Sequence, residues 1–363
     1  MKSEAKTDIA VLLLFFTRSD TFQQVFEAVR QARPSMLLLY QDGPRDERDM
    51  AGIMACRDIV SDEKIDWECE VHRRYLDHNE GCDPSGFRSH QWAFSLAEKV
   101  IVLEDDVVPA QSFFPFCKEM LDRYEHDERI SMVAGFNIDE VTLPSHLSLV
   151  PEPVDGLVPE PVEGLNPQPS YFFTTAFSIW GWASWRRVAQ RWDPTYSFMH
   201  DPEKVKKLES EKVKRHLRSD MLQMFRDHSQ SGKEYFETIY WADMLLHDSL
   251  AIMPVKNQIN NIGLTGDSTH FSAELKTTPH RIRRIFTMGR HELEFPLVHP
   301  KEVVENKAYL DRLYRANGWN HPWIKIANSL EELWLNLRYG QFKHIGQSII
   351  RRFSKWLGIF KHK

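Results

Sequence analysis

Val100-Ile101-Val102-Leu103-Glu104-Asp105-Asp106 is the stretch on which the reading of this chain turns. Four apolar residues in a row predict a strand covered on both faces, as in a parallel sheet. Three carboxylates then follow without a spacer. Open α/β sheets bind ligands at the carboxyl ends of their strands, which is where this triplet falls. Adjacent carboxylates repel one another unless a cation sits among them. An oxygen-preferring divalent ion, Mn²⁺ or Mg²⁺, relieves that repulsion, bridges two phosphate groups and acts as a Lewis acid on a departing diphosphate. Taken alone, the triplet reads equally well as a solvated turn or helix N-terminus.

The surrounding sequence repeats the pattern. Ile9–Phe16 is a second continuous apolar run. Phe22, Val25, Phe26 and Val29 recur after it at helical spacing. Met36–Tyr40 is a third run, closed by the turn signal Asp42-Gly43-Pro44. A helix over Asp46–Ile59, a strand over Trp67–Val71, a loop over Leu76–Phe87 and a helix over Ser89–Ala97 lead into Val100. Ser112 is placed to cap the helix that follows. This β-α-β-α order predicts an α/β fold: a mostly parallel, doubly wound sheet with helices on both faces.

Composition sets further bounds. The 363 residues are 42% hydrophobic and 27% charged, enough for a substantial core. A net charge of −6 argues against a nucleic-acid partner. The charge is uneven, with eight Lys/Arg against two Glu from His321 onward. Cys56, Cys69, Cys82 and Cys117 form no CxxC pair, so they read as free thiols in a reducing, cytoplasmic compartment rather than a zinc site. The run Ile9–Phe16 is too short to span a bilayer. Residues 150–165 hold two consecutive octets, VPEPVDGL and VPEPVEGL, which read as a duplication in an extended Pro-rich surface loop.

Four motifs stand at or beside successive strand ends. They are Phe16-Thr17-Arg18-Ser19, Tyr40-Gln41-Asp42-Gly43, Arg88-Ser89-His90-Gln91-Trp92-Ala93 and Val102-Leu103-Glu104-Asp105-Asp106. Together, over roughly the first 140 residues, they resemble the nucleotide-binding half of N-acetylglucosaminyltransferase I and related bacterial GT-A glycosyltransferases. Trp180-Gly181-Trp182-Ala183-Ser184-Trp185, Asn261-Ile262-Gly263 and Thr269-His270 are similar to the bacterial relatives only. The resemblance implies a GT-A-like fold and a set of roles. Arg18, and Arg88 with a weaker case, would meet the nucleotide or its phosphates, and Asp42 would accept from the uracil N3–H. His90 would contact the uracil, Glu104 and Asp105 would lie near ribose and sugar, and Asp106 would bind the metal. Each residue also has a plainer reading: a surface ion pair for Arg18, the Asp-Gly turn for Asp42, a satisfied half-buried imidazole for His90.

Four segments are expected: residues 1–140 holding the nucleotide-sugar, 141–170 as the repeat loop, 171–300 as the acceptor and catalytic half, and 301–363 as a helical region. An inverting transfer needs a carboxylate base, and Asp243, in Tyr240-Trp241-Ala242-Asp243, is the first candidate, with Glu237 and Asp248 competing. His270 would add a metal ligand or a phosphate contact, or is a surface loop histidine. Trp180, Trp182, Trp185 and Trp192 read chiefly as core, with Trp182 the one to line an acceptor cleft. From Trp323 onward, aromatic and basic residues alternate as on a helix lying at an anionic membrane surface, or docked on the chain's own acidic body.

The expected activity is therefore a metal-dependent inverting transfer of a hexosyl or N-acetylhexosaminyl group. The donor would be a UDP-sugar, and the acceptor a hydroxyl of a saccharide or lipid-linked saccharide, at the inner face of a bacterial membrane. A nucleotidyltransferase would carry a Gly-rich phosphate loop, which Thr17-Arg18-Ser19-Asp20 is not. A non-catalytic nucleotide-sugar-binding protein would have no need of the full acidic triplet.

Overall fold

A computed structural model of the chain describes residues 2–139, 168–210, 221–264, 278–319 and 321–341. Among the described residues there are ten strands: β1 (Thr7–Phe15), β2 (Pro34–Gln41), β3 (Glu70–Tyr75), β4 (Lys99–Glu104), β5 (Val107–Pro109), β6 (Ile130–Ala134), β7 (Tyr171–Thr174), β8 (Trp182–Trp185), β9 (Leu250–Pro254) and β10 (Ile259–Asn261). The helices are α1 (Ser19–Ala32), α2 (Met50–Ile59), α3 (Cys82–Leu96), α4 (Phe113–Arg123), α5 (Arg186–Ala189), α6 (Pro202–Leu208), α7 (Met221–Ser231), α8 (Phe236–Leu246), α9 (His280–Thr287), α10 (Lys307–Asn317) and α11 (Pro322–Arg338).

Eight strands form one mainly parallel sheet in the order β3-β2-β1-β4-β8-β6-β9-β7. The first four run parallel, and β8 lies antiparallel between β4 and β6. Strands from both halves of the chain thus share one sheet. Ile9 to Leu13 are all buried although successive side chains point to opposite faces, so both faces of β1 are covered. The duplicated octets, His270 and the chain beyond Gln341 lie outside the described residues.

Two elements differ from the sequence expectation. The strand expected at Trp67 begins at Glu70 instead; Trp67 is buried and its indole N–H donates to the Pro34 carbonyl at 2.8 Å. Helix α3 begins at Cys82, within the expected loop. Pro84 falls in its first turn, where a missing N–H costs nothing. Gly86 lets the helix close on α8, because a Cβ there would sit 2.8 Å from the Phe236 ring. Ser112 is not a side-chain cap. Glu292 performs that task, accepting from the amides of Gln111 and Ser112 at 3.0 and 2.6 Å.

The aromatic block is core. Trp182 is 1% exposed and packs on His90, Phe94, Trp192 and Tyr240, so it lines no acceptor cleft. His90 is fully enclosed in the same cluster, and burial pulls its pKa down to about 3. The sign of the linkage follows. The folded chain keeps this imidazole neutral, while the unfolded chain protonates it below its ordinary value of 6.5. Stability is thus intact at neutral pH and lost as pH falls. Acidification from pH 6.5 to about 5 should cost about 2 kcal/mol through this group. Urea titrations of the wild type and of His90→Phe should show a shallower acid dependence in the variant.

Candidate functional site

The parallel register sets the site. Leu14 pairs with Glu104, and Phe15 with Gln41, so β1, β2 and β4 end along one sheet edge. Arg18, Asp42 and the acidic triplet leave the sheet there together. Asp105 and Asp106 form the two-residue turn between β4 and β5.

Arg18 is the counter-ion. One of its guanidinium nitrogens meets Asp105 and also lies 2.9 Å from Asp106. Asp105 further accepts from the Phe16 amide at 3.3 Å. Burial raises the Asp105 pKa, Arg18 pulls it back, and Asp106 raises it again. Glu104 has no ion-pair partner among the described residues, and Arg18 lowers its pKa only from a distance. Burial pushes its carboxyl up, and the charges of Asp106, Asp105 and Glu237 push it further.

Asp106 is also enclosed from the second half of the chain. Strand β10 pairs with β5, and the Ile262 amide donates to the Asp106 carbonyl at 2.8 Å. Gly263 then passes directly over the carboxylate. A Cβ on Gly263 would lie 2.0 Å from Asp106 Oδ2, so no larger residue fits. Asp106 Oδ1 is buried with no hydrogen-bond partner among the described residues. An orphaned anionic oxygen is costly unless something binds it. Mg²⁺-type sites use one or two carboxylates plus substrate phosphates and water, so this oxygen fits one place in such a set. Among the described residues no group of three His, Cys, Asp or Glu side chains is arranged to hold a metal.

The other expected residues are placed as follows. Asp42 uses both oxygens inside the protein: Oδ1 accepts from Gly43 and Glu80 amides at 2.9 Å each, and Oδ2 from Gly81 N–H at 3.1 Å and Asn79 Nδ2 at 3.0 Å. It anchors the loop into α3, the structural role open to it beside the expected contact with a uracil N3–H. Arg88 binds Glu80 at 2.7 Å and Glu234 at 3.5 Å, bracing that loop rather than facing the triplet. His90 is buried, its Nδ1 bonded to the Tyr240 hydroxyl, which is the satisfied-imidazole arrangement. Asp243 is 3% exposed at its side chain, paired with Arg191 at 2.9 Å and His247 at 3.0 Å. Both ion pairs lie inside the protein, so an incoming hydroxyl would have to compete with Arg191 and His247 for this carboxylate.

Glu237, the competing carboxylate, lies on the same helix as Asp243. It stands exposed in the first turn of α8, and its charge acts on Glu104 and on the Tyr240 hydroxyl. Six residues separate it from Asp243, which is about 120° round the helix and about 9 Å along it. Tyr240, between Glu237 and His90, carries no signal in the sequence beyond an aromatic residue on a helix.

A cleft of 660 Å³ lined by Arg123, Tyr124, Asp127, Arg129 and residues 300–304 opens beside the start of β6, at the opposite edge of the sheet. None of the expected site residues lines it.

No protein family and no curated protein matches the chain by sequence. Among solved structures it is similar to mouse xyloside xylosyltransferase 1, apo form, at 11% identity and a TM-score of 0.32, covering 65% of this chain and 81% of that one. It is similar to an active-site mutant of LgtC at 13% identity and 0.28, covering 56% and 66%. A UDP-glucose pyrophosphorylase complexed with UDP-glucose matches at 10% identity and 0.22, covering 37% and 60%. The chain thus spans less than two thirds of the latter two. Similarities this weak establish neither a family nor an activity.

Gly263→Ala should displace the Asn261–Gly263 turn from Asp106, because the new methyl has no room. A stability loss of about 1–3 kcal/mol in urea is expected. A variant as stable as the wild type would show that the turn is free to move.

Proposed function

We propose that this chain is a glycosyltransferase that moves a sugar from a nucleotide-diphospho-sugar, with UDP as the nucleotide, to a hydroxyl of a saccharide or lipid-linked saccharide, with inversion. The observation that supports it best is the convergence, at one sheet edge, of Arg18 from β1, Asp105-Asp106 from β4, the Asn261-Ile262-Gly263 backbone from β10 and Glu237 from α8. The four motifs in register support the nucleotide-sugar half of the reading.

Asp106 is the residue of this chain to hold a Mn²⁺ or Mg²⁺ ion, through its unpartnered Oδ1. His270, if it joins, does so from outside the described residues. When bound, such an ion neutralises the charge that collects on the departing diphosphate. Arg18 pairs with Asp105 and Asp106 and holds them against the end of β1. Asp105 and Glu104 stand beside Asp106, where ribose and sugar hydroxyls find carboxylate acceptors. The acceptor oxygen attacks C1 in line, the bond from C1 to the diphosphate oxygen breaks, and that oxygen leaves with the electron pair. Glu237 accepts the acceptor's hydroxyl proton. The His90–Tyr240 bond holds α8, and with it Glu237, against α3.

The test is a turnover assay with a panel of UDP-sugars and Mn²⁺ on three variants. Asp106→Ala should abolish transfer and metal-dependent UDP binding while leaving the fold intact. Glu237→Gln should lose turnover on the order of 10²-fold or more and still bind UDP. Asp243→Asn should lower stability, by leaving Arg191 half-paired, and keep turnover far above the Glu237 variant. Near-normal turnover in Glu237→Gln, or its loss in Asp243→Asn at unchanged stability, would return the base to Asp243.

A further inference from the structure

Helix α11 turns its apolar side outward. Ile324, Asn328, Glu331 and Leu335 recur every three or four residues and face the body; Leu335 is the buried one. Glu331 accepts from the His280 amide at 2.8 Å, which ties the start of α9 to this inner side. The opposite side carries Trp323, Ile326, Leu330, Leu333, Trp334 and Leu337, again every three or four residues. Exposure is 80% for Trp323, 61% for Leu330 and 54% for Trp334. Two acidic residues lie in α11, Glu331 on the inner side and Glu332 about 160° round the helix from Trp334, so neither interrupts the stripe.

The flanking charge has one sign. Arg281, Arg283 and Arg284 on α9 take part in no ion pair or side-chain hydrogen bond among the described residues, and the Arg281 Nε is buried without a partner. Lys325 and Arg338 on α11 have no acidic partner among them either, and Arg338 lies over the Trp334 ring at 5.0 Å. In a chain with net charge −6, five cations without acidic partners among the described residues, on α11 and on the helix tied to it, favour an anionic partner with an apolar interior.

We propose that α11, with the arginines of α9, docks this protein on an anionic lipid bilayer. The stripe enters the headgroup–acyl boundary, and Arg281, Arg283 and Arg284 meet lipid phosphates. A second copy is disfavoured as the occupant, because a symmetric contact sets these cations against each other. Residues 342–363 are disfavoured for the same reason, with six Lys/Arg and no acidic residue. No helix among the described residues is long and apolar enough to cross the membrane, which fits docking at the surface. The proposal is independent of the catalytic reading.

The test is co-sedimentation of the full chain with phosphatidylcholine vesicles, with and without phosphatidylglycerol. The wild type should partition onto the anionic vesicles, less so as salt rises. Leu330→Glu with Trp334→Glu should reduce partitioning at least about tenfold on both vesicle types. Arg281→Gln with Arg283→Gln and Arg284→Gln should cost on the order of a hundredfold on anionic vesicles and little on neutral ones. Melting curves check that both variants fold. A wild type that stays in solution, or that binds without salt dependence, overturns the proposal, as do folded variants that partition like the wild type. So does a wild-type dimer that Leu330→Glu with Trp334→Glu converts to a monomer, with no vesicle binding; that result assigns the stripe to a second copy.

Discussion

The site depends on one guanidinium. Asp105 and Asp106 are consecutive, buried and of like charge, an arrangement that cannot hold in a low-dielectric environment without a counter-charge. Arg18 supplies it to both carboxylates from a neighbouring strand end. That pairing needs β1 and β4 adjacent, parallel and in register, as Leu14 opposite Glu104 shows. The continuous apolar runs in β1 and β4 stabilise that register, since both faces of each strand are covered. Hydrophobic burial therefore places the charges, and the charge pair in turn fixes the turn between β4 and β5.

The same edge is stiffened a second time around Asp42. Three of its four accepted hydrogen bonds hold residues 79–81 against the end of β2, and the fourth comes from the Gly43 amide. Gly43 permits this approach, since a Cβ there would lie 2.3 Å from the His78 backbone nitrogen. Gln41, fully buried, donates to the carbonyls of Phe16 and Ile53 and accepts from Arg57, which joins the β1 and β2 ends to α2. Oriented carboxylates on a rigid frame have little reorganisation left to do when a ligand binds, the condition for electrostatic catalysis.

The sequence exposes the part of this architecture that is written in short-range pattern. Apolar runs announce β1, β2 and β4, because a strand covered on both faces has no polar alternation to hide it. The position of the acidic triplet follows from the strand before it. Helix α3 stays hidden because Pro84 and Gly86 carry turn chemistry, and only the Phe236 ring beside Gly86 shows why a helix tolerates it. Asp243 and Glu237 are indistinguishable in sequence, as two carboxylates on one helix. Arg191, far along the chain, takes the first, and the charge of the second acts on Glu104. His90 and Trp182 carry polar and aromatic chemistry suited to a ligand, yet they meet each other in the core. In each case the deciding neighbour is remote in sequence.

The case for a cation at the triplet is altered by Arg18 rather than removed. The sequence argument holds that three adjacent carboxylates need a positive charge, and one is present. Yet one guanidinium faces three carboxyl groups at this edge: Glu104, Asp105 and Asp106. A diphosphate brought to the same edge adds further negative charge, and Arg18 is already committed to two aspartates. Arg88, the other cation that the motifs offered, is spent on Glu80 and Glu234. On the proposed reading the missing charge must therefore come with the donor or ahead of it. The Asp106 oxygen that lacks a partner among the described residues, beneath a glycine that admits no side chain, is where the protein leaves room for it.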